Sequence, residues 1–337
     1  MVSIIPRLQP KAGFRTHSAD FPTPVSPTIL LPNDARGQVS DYALIAERSE
    51  KRLRFDRTGS EDFRQCTPGA RYRIQTDATQ ITFNTAYNNQ VTRYDSRNYI
   101  ASIFVNGALH SSFNSFDGVK VITFPDVTSR LIELIWPYAD GMDLLKTTVN
   151  VGANFFGIPS RPNGIYVAAG DSITQGFWSS KTVNSWAFKS AVAINRRLIN
   201  LGDGGDIAVA SYANALIGTG ADRVSYMIGY NNFAAQTALA TFQAAVEGWI
   251  NNAKAALPSA KILVISPIYS PNTNTITLAQ YRTSVAAAVT AAGGANVSYV
   301  NGLSLMTNSN DRLVDGVHPT DTGALEIVTN LAPLLAA

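Results

Sequence analysis

Between residues 71 and 151 apolar and polar positions alternate in short runs. RYRIQT, QITFNT, YIASIFV, KVITFP and RLIELIW are separated by Asn, Gly, Asp and Pro. Alternation of period two over such lengths predicts half-buried strands, and no helix of ordinary length fits there. Asn106-Gly107, between SIFV and ALHSSF, is a strong hairpin signal because both residues tolerate positive φ. The stretch predicts a β-sandwich of jelly-roll type over residues 71–157. Residues 1–70 are Pro-rich and weakly patterned. A helix is expected at DYALIAERSEKRL, and the rest is either an irregular leader or part of the β-domain.

Beyond GIPSRPNG the pattern changes. Short apolar strands are expected at Ile165 to Ala169, Leu198 to Leu201, Arg223 to Ile228, Lys261 to Ile265 and Val297 to Val300. Between them SWAFKSAVAI, TALATFQAAVEGWINNAKAAL and LAQYRTSVAAAVTAAG carry apolar residues at helical spacing, and TGALEIVTNLAPLLA reads as a closing helix. Strands alternating with helices predict a parallel sheet covered on both faces, here over residues 158–337. The fold class is therefore α/β, a three-layer α/β/α domain preceded by an all-β sandwich.

Composition narrows the function classes. The chain has 337 residues, 45% hydrophobic and 15% charged, with a formal net charge of +3 and no basic run, which argues against a nucleic-acid partner. Its one cysteine, Cys66, leaves no intramolecular disulfide and no Cys-based zinc site, and no metal or other cofactor is expected. MVSIIPRLQPK lacks the apolar core and small-residue cleavage site of a signal peptide, and no run is long enough to span a membrane. A soluble protein is expected, cytoplasmic or exported with its signal trimmed. The oligomeric state is not legible.

IYVAAGDSITQGF poses the chemical question, because an apolar strand there breaks at Gly170-Asp171-Ser172. Ligands of open α/β sheets bind outside the carboxyl ends of the strands, which is where Ser172 falls. Of three histidines, His17 lies in the leader and His110 follows the hairpin, whereas His318, in VDGVHPTDTGA, stands between the last strand and the last helix. Asp315 precedes it by three residues. A serine needs a base to take its proton and the base needs a third group to orient it, roles that Ser172, His318 and Asp315 can fill. The same spacing also suits Asp315 capping a turn and His318 packing beside Pro319. NLGDGGDIA and IGYNNF, each after a strand, offer backbone N–H groups and the amide of Asn231 to a developing oxyanion.

The ordered set Gly170-Asp171-Ser172, the glycine loop, Gly229-Tyr230-Asn231 and Asp315-Gly316-Val317-His318 resembles the conserved blocks of the SGNH hydrolase family, the GDSL-type esterases and lipases. The resemblance covers roughly residues 160–337. It implies Ser172 as nucleophile, Asp315 and His318 as its partners, and an oxyanion hole from the N–H of Ser172, the N–H of Gly205 and the amide of Asn231. Gly204 is the alternative to Gly205. One departure is Asn232, where the family commonly has an acid. The nucleophile elbow G-x-S-x-G of other α/β-hydrolases fits less well, with Thr174 at its second glycine.

The resemblance implies ester hydrolysis through an acyl-enzyme. A β-sandwich ahead of such a domain is similar to the layout of certain bacterial carbohydrate esterases, which implies acetyl esters of a saccharide as substrate. The alternatives are a short-chain lipid or small-molecule ester, or a non-catalytic carbohydrate-binding or attachment protein. Trp178 and Tyr230, and also Phe177 and Trp186, are candidates to stack on a sugar or acyl chain.

Overall fold

The structure is a computed structural model that describes residues 68–87, 100–115, 118–138, 142–158 and 164–337, together with the backbone of four short strands between 28 and 56. His17 and Cys66 lie outside the described residues. The strands of the amino-terminal half are β1 (Thr28–Leu30), β2 (Gln38–Ser40), β3 (Ile45–Arg48), β4 (Leu53–Asp56), β5 (Arg71–Thr76), β6 (Gln80–Tyr87), β7 (Ile100–Val105), β8 (Ala108–Asn114), β9 (Val119–Thr123), β10 (Arg130–Ile135), β11 (Met142–Val149) and β12 (Phe155–Phe156). They form two antiparallel sheets, one ordered β3-β4-β11-β6-β9 with β1 beside β11, the other β12-β5-β10-β7-β8 with β2 beside β5. Asn106 and Gly107, at φ 51° and 82°, make the tight β7–β8 hairpin.

The alternation along these strands sorts side chains into two faces. Tyr72, Ile74, Ile132 and Leu134 from one sheet meet Ile81, Phe83, Met142 and Leu144 from the other in a single core. The opposite face of β5 and β10 carries Arg71, Arg73, Glu133 and Ile135, all of them buried. That face packs against the α/β half, which is why these strands are buried on both sides although one face is largely charged.

One expectation fails here. The helix expected over residues 41–53 is instead the hairpin β3–β4, registered Ile45↔Asp56 to Arg48↔Leu53. A short helix in isolation is marginal in water, whereas β4 gains a partner in β11 through Leu53↔Leu144. Strand β11 lies in the stretch read as strand-like but was not singled out as a run, and its register slips between Leu144 and Lys146, which breaks the alternation of MDLLKTTV.

The carboxy-terminal half has five parallel strands, β13 (Ile165–Gly170), β14 (Arg197–Gly202), β15 (Arg223–Met227), β16 (Lys261–Ile265) and β17 (Val297–Val300), in the order β14-β13-β15-β16-β17. Its helices are α1 (Ser172–Gln175), α2 (Trp186–Ala193), α3 (Tyr230–Ala234), α4 (Leu239–Ala256), α5 (Leu278–Ala292) and α6 (Asp321–Ala336). Successive strand residues point to opposite faces: Val167, Val224 and Val264 pack with Phe242, Trp249 and Tyr281 of α4 and α5, while Tyr166, Leu198 and Leu263 pack with Phe188 of α2 and Leu331 of α6. The strand order reverses around β13, so a crevice opens beyond its carboxyl end.

Candidate active site

Why the chain leaves β13 through glycine and an acid is answered by what surrounds the turn. A Cβ on Gly170, whose φ is +151°, would stand 2.2 Å from the carbonyl oxygen of Met227. Asp171 then caps α1, its carboxylate accepting the N–H of Ile173 at 2.9 Å. Asp171 is 2% exposed, and burial raises its carboxyl to about 6 against the opposing pull of the Ile173 N–H and the His318 charge. Beneath the helix Gly202 touches backbone: a Cβ there would lie 2.1 Å from the nitrogen of Gln175. Buried Asn200 latches the same turn, donating to the Thr174 carbonyl at 3.0 Å and accepting from the Gly202 N–H at 2.8 Å. Ser172 is thereby fixed as the first residue of α1.

His318 arrives from the other side on a short closed loop. Leu313 and Pro319 bridge, and the N–H of Val314 donates to the His318 carbonyl at 2.9 Å. Within the loop one oxygen of Asp315 accepts the N–H groups of Val317 and His318 at 3.1 and 2.9 Å. Its other oxygen lies 2.8 Å from His318 Nδ1, and His318 Nε2 lies 2.8 Å from Ser172 Oγ. A carboxylate only accepts, so Nδ1 carries the proton and Nε2 is left to accept from the serine hydroxyl. Partial burial pushes the Asp315 carboxyl up, but the ring and backbone hydrogen bonds of His318, its charge and the Val317 N–H outweigh burial and hold it well below the usual carboxylate range. Asp315 thus does cap a turn, and with its second oxygen it also holds the imidazole.

The glycine loop and the Asn231 segment stand at the same sheet edge. Asp203 to Asp206 form a turn closed by the Asp206 N–H on the Asp203 carbonyl at 3.1 Å, with Gly204 buried and Gly205 exposed. Asn231 donates one amide N–H to the Asp206 carbonyl at 2.9 Å, which ties the two loops together. Asn232, where an acid was expected from the resemblance, is 1% exposed and accepts the Ala208 N–H at 2.9 Å, so a neutral amide supplies the acceptor. Among the described residues no group of three or more His, Cys, Asp or Glu side chains converges as a metal site would require.

Residues 168–324 match the model of the GDSL-like lipase/acylhydrolase family. The carboxy-terminal half is a GDSL-like lipase/acylhydrolase domain. The chain is accordingly a carboxylic ester hydrolase by class. No curated protein matches it in sequence. Among solved structures it is similar to the salicylyl-acyltransferase SsfX3 from a tetracycline biosynthetic pathway, with 19% identity, 91% of this chain and 97% of that one covered and a TM-score of 0.78. It is also similar to a family two carbohydrate esterase from Cellvibrio japonicus, with 16% identity, 92% and 97% covered and a TM-score of 0.71. An acetyl xylan esterase from the rumen bacterium Butyrivibrio proteoclasticus shares 12% identity over 91% and 98% of the two chains, with a TM-score of 0.65. These likenesses span both halves and show a shared fold.

Of the aromatic candidates around the GDSL domain's serine, the structure disperses some and gathers others. Trp186 is 1% exposed and donates to the Ile173 carbonyl at 2.8 Å, so it is core and not a platform for a ligand. Tyr230 accepts from Asn272 at 2.7 Å on the loop that follows β16. Phe177 sets its ring against His318, with centroids 4.8 Å apart, and against Tyr138 of the sandwich half at 5.6 Å. Trp178 donates its indole N–H to Asp315 at 3.1 Å. His110 is exposed on β8 beside Ser111 and Phe124. The latch of Asn200 on Thr174 and the Trp178 bond escaped sequence reasoning, since each rests on a contact between segments far apart in the chain, and the cap at Asp171 on Ile173 was missed although it is local. Among the described residues no helix is long and apolar enough to cross a membrane.

Proposed function

We propose that the protein is a serine esterase that removes short acyl groups, acetyl foremost, from a carbohydrate. The observation that carries the serine mechanism is the continuous line from Ser172 through His318 to Asp315, with both contacts at 2.8 Å. In this reading His318 Nε2 takes the proton of Ser172 as Oγ attacks the ester carbonyl, and Asp315 holds the tautomer and stabilises the imidazolium. The oxyanion falls to the N–H of Ser172, the N–H of Gly205 and the second amide N–H of Asn231, the first amide N–H being spent on fixing the side chain. Collapse expels the alcohol, protonated by His318. Water then repeats the sequence and frees the acid.

The saccharide acceptor is supported by the fold shared with carbohydrate esterases over both halves. The contact from Tyr138 through Phe177 to His318 supports a sandwich that lies beside the reacting centre, where it can narrow the acceptor site, with Trp178 and Tyr230 as aromatic walls. In this reading residues 71–157 are the sandwich and 158–337 the catalytic domain, with the strands between 28 and 56 adding to the sandwich sheets. The test is burst release of nitrophenol from nitrophenyl acetate, with Ser172→Ala as blank, followed by acetylated sugars and simple esters of rising acyl length. Preference for acetylated saccharides supports the proposal. A rate that climbs with acyl length on simple esters, with none on saccharides, moves the protein to the small-ester reading, and no burst at all leaves a binding protein.

A further inference from the structure

We propose that Trp178 is a positioning residue of the triad, holding the Asp315 carboxylate to the imidazole from outside the Asp315–His318 loop. This rests on the reading of Asp315 as the partner of His318. The Asp315 side chain is 37% exposed, against 12% for His318. A carboxylate so open to water can turn away from the ring and accept from solvent instead. Its first oxygen is anchored by two backbone N–H groups of its own loop, whereas its second, the one that faces the imidazole, shares its lone pairs between His318 Nδ1 at 2.8 Å and the Trp178 indole N–H at 3.1 Å. The indole bond comes from the turn that follows the nucleophile helix, so it ties the acid directly to the segment that carries Ser172.

The backbone shows that this placement is not incidental. Trp178 has φ +66°, the left-handed region that a bulky side chain rarely adopts and that persists only where the surroundings enforce it. Its neighbour Phe177 packs edge-on against His318, and the two aromatic rings lie 5.0 Å apart. Consecutive residues therefore brace the two halves of one hydrogen-bonded pair, Phe177 the imidazole and Trp178 the carboxylate. A residue that only stacked on substrate would need neither the bond to Asp315 nor the strained backbone.

The experiment compares kcat and KM on nitrophenyl acetate for Trp178→Phe, Asp315→Ala and the double variant, each first shown by thermal melting to be folded. Trp178→Phe is expected to lower kcat about 10-fold with KM nearly unchanged, as loss of one hydrogen bond to a charged group implies. Asp315→Ala is expected to lower it roughly 10³-fold, and the double variant to match Asp315→Ala, because the indole acts only through the acid. An unchanged kcat, an effect confined to KM, or additive losses in the double variant would each overturn the proposal. Wild-type activity in Asp315→Ala would instead overturn the triad reading beneath it. Should Trp178→Phe not fold, Trp178→Leu, which also lacks the donor, enters the same cycle.

Discussion

Two of the molecule's acid–base contacts stand in opposite settings. In the sandwich half Glu133 meets Arg71 at 3.1 Å and Arg73 at 3.3 Å, with side chains only 2–4% exposed. In the GDSL domain His318 meets Asp315 at 2.8 Å, but the carboxylate stands 37% exposed at the rim. The first cluster is shut off from water, and the contacts of Glu133 with Arg71 and Arg73 offset part of the cost of burying their charges. The second keeps one side wet and draws its order from backbone N–H groups and an indole. Burial makes a charge pair part of the framework, whereas partial exposure leaves it free to change charge during a reaction at small cost to folding.

The largest effect expected separates these roles most sharply. Ser172→Ala and His318→Ala should each lower kcat on nitrophenyl acetate by roughly 10⁵ to 10⁶, with melting temperatures close to wild type, and the double variant should be no slower than either. A double variant far slower than both would mean that the two residues do not act as a unit. Next comes the buried cluster, where Glu133→Gln removes the charge of the carboxylate that meets Arg71 and Arg73. It should cost about 3–5 kcal/mol of stability in urea unfolding while kcat of the folded protein stays near wild type. Loss of activity without loss of stability would erase the contrast. Asn231→Ala should then lower kcat by roughly 10² to 10³, about 3–4 kcal/mol, with little change in KM. A change in KM alone would make Asn231 a substrate-binding residue.

The smallest effect belongs to Asp171, a buried acid that among the described residues makes no ion pair of the kind Glu133 has. Its carboxyl is raised to about 6, above the ordinary value of 3.8, so the folded state holds a proton that the unfolded chain releases between those limits. Stability contributed by that proton is present below pH 4 and is lost as the pH rises to 6. Asp171→Asn keeps the cap and removes the titration. Relative to wild type it should gain up to about 2–3 kcal/mol between pH 4 and 6, at about 1.4 kcal/mol per pH unit. A difference in melting temperature that stays flat over that window would show that Asp171 is already ionised there.

The comparison also explains what could be read from the sequence. The five strands of the parallel sheet and the helices α2, α4, α5 and α6 were legible to within a residue or two, because the strands are short apolar runs and the helices between them carry apolar residues at helical spacing. Ser172, Asp315 and His318 were legible as a set because each follows a strand, and strand ends in such a sheet share one edge. The hairpin β3–β4 was misread as helix because its ladder partner, β11, lies some ninety residues away. Trp178 was read as a wall for substrate, and its bond to Asp315 spans 137 positions with no local signature. Trp186 was offered after it, since nothing in the local sequence of α2 distinguishes a core indole from an exposed one.

Phe188 carries a lesson for anyone who would treat the two halves as exchangeable modules. It projects from α2 into the sandwich, with the Arg71 guanidinium 4.7 Å from its ring centroid and the Phe104 ring at 6.1 Å. Gly69 leaves it room, since a Cβ there would stand 3.0 Å from the Phe188 ring. The fit works as a plug and socket, and a foreign partner domain would have to supply a cation, an aromatic edge and a gap at matching positions. Cut free, the catalytic half would lose the cover that Arg71 and Phe104 give one side of a ring that also belongs to its own core, so its yield as a separate recombinant product should fall below that of the full chain.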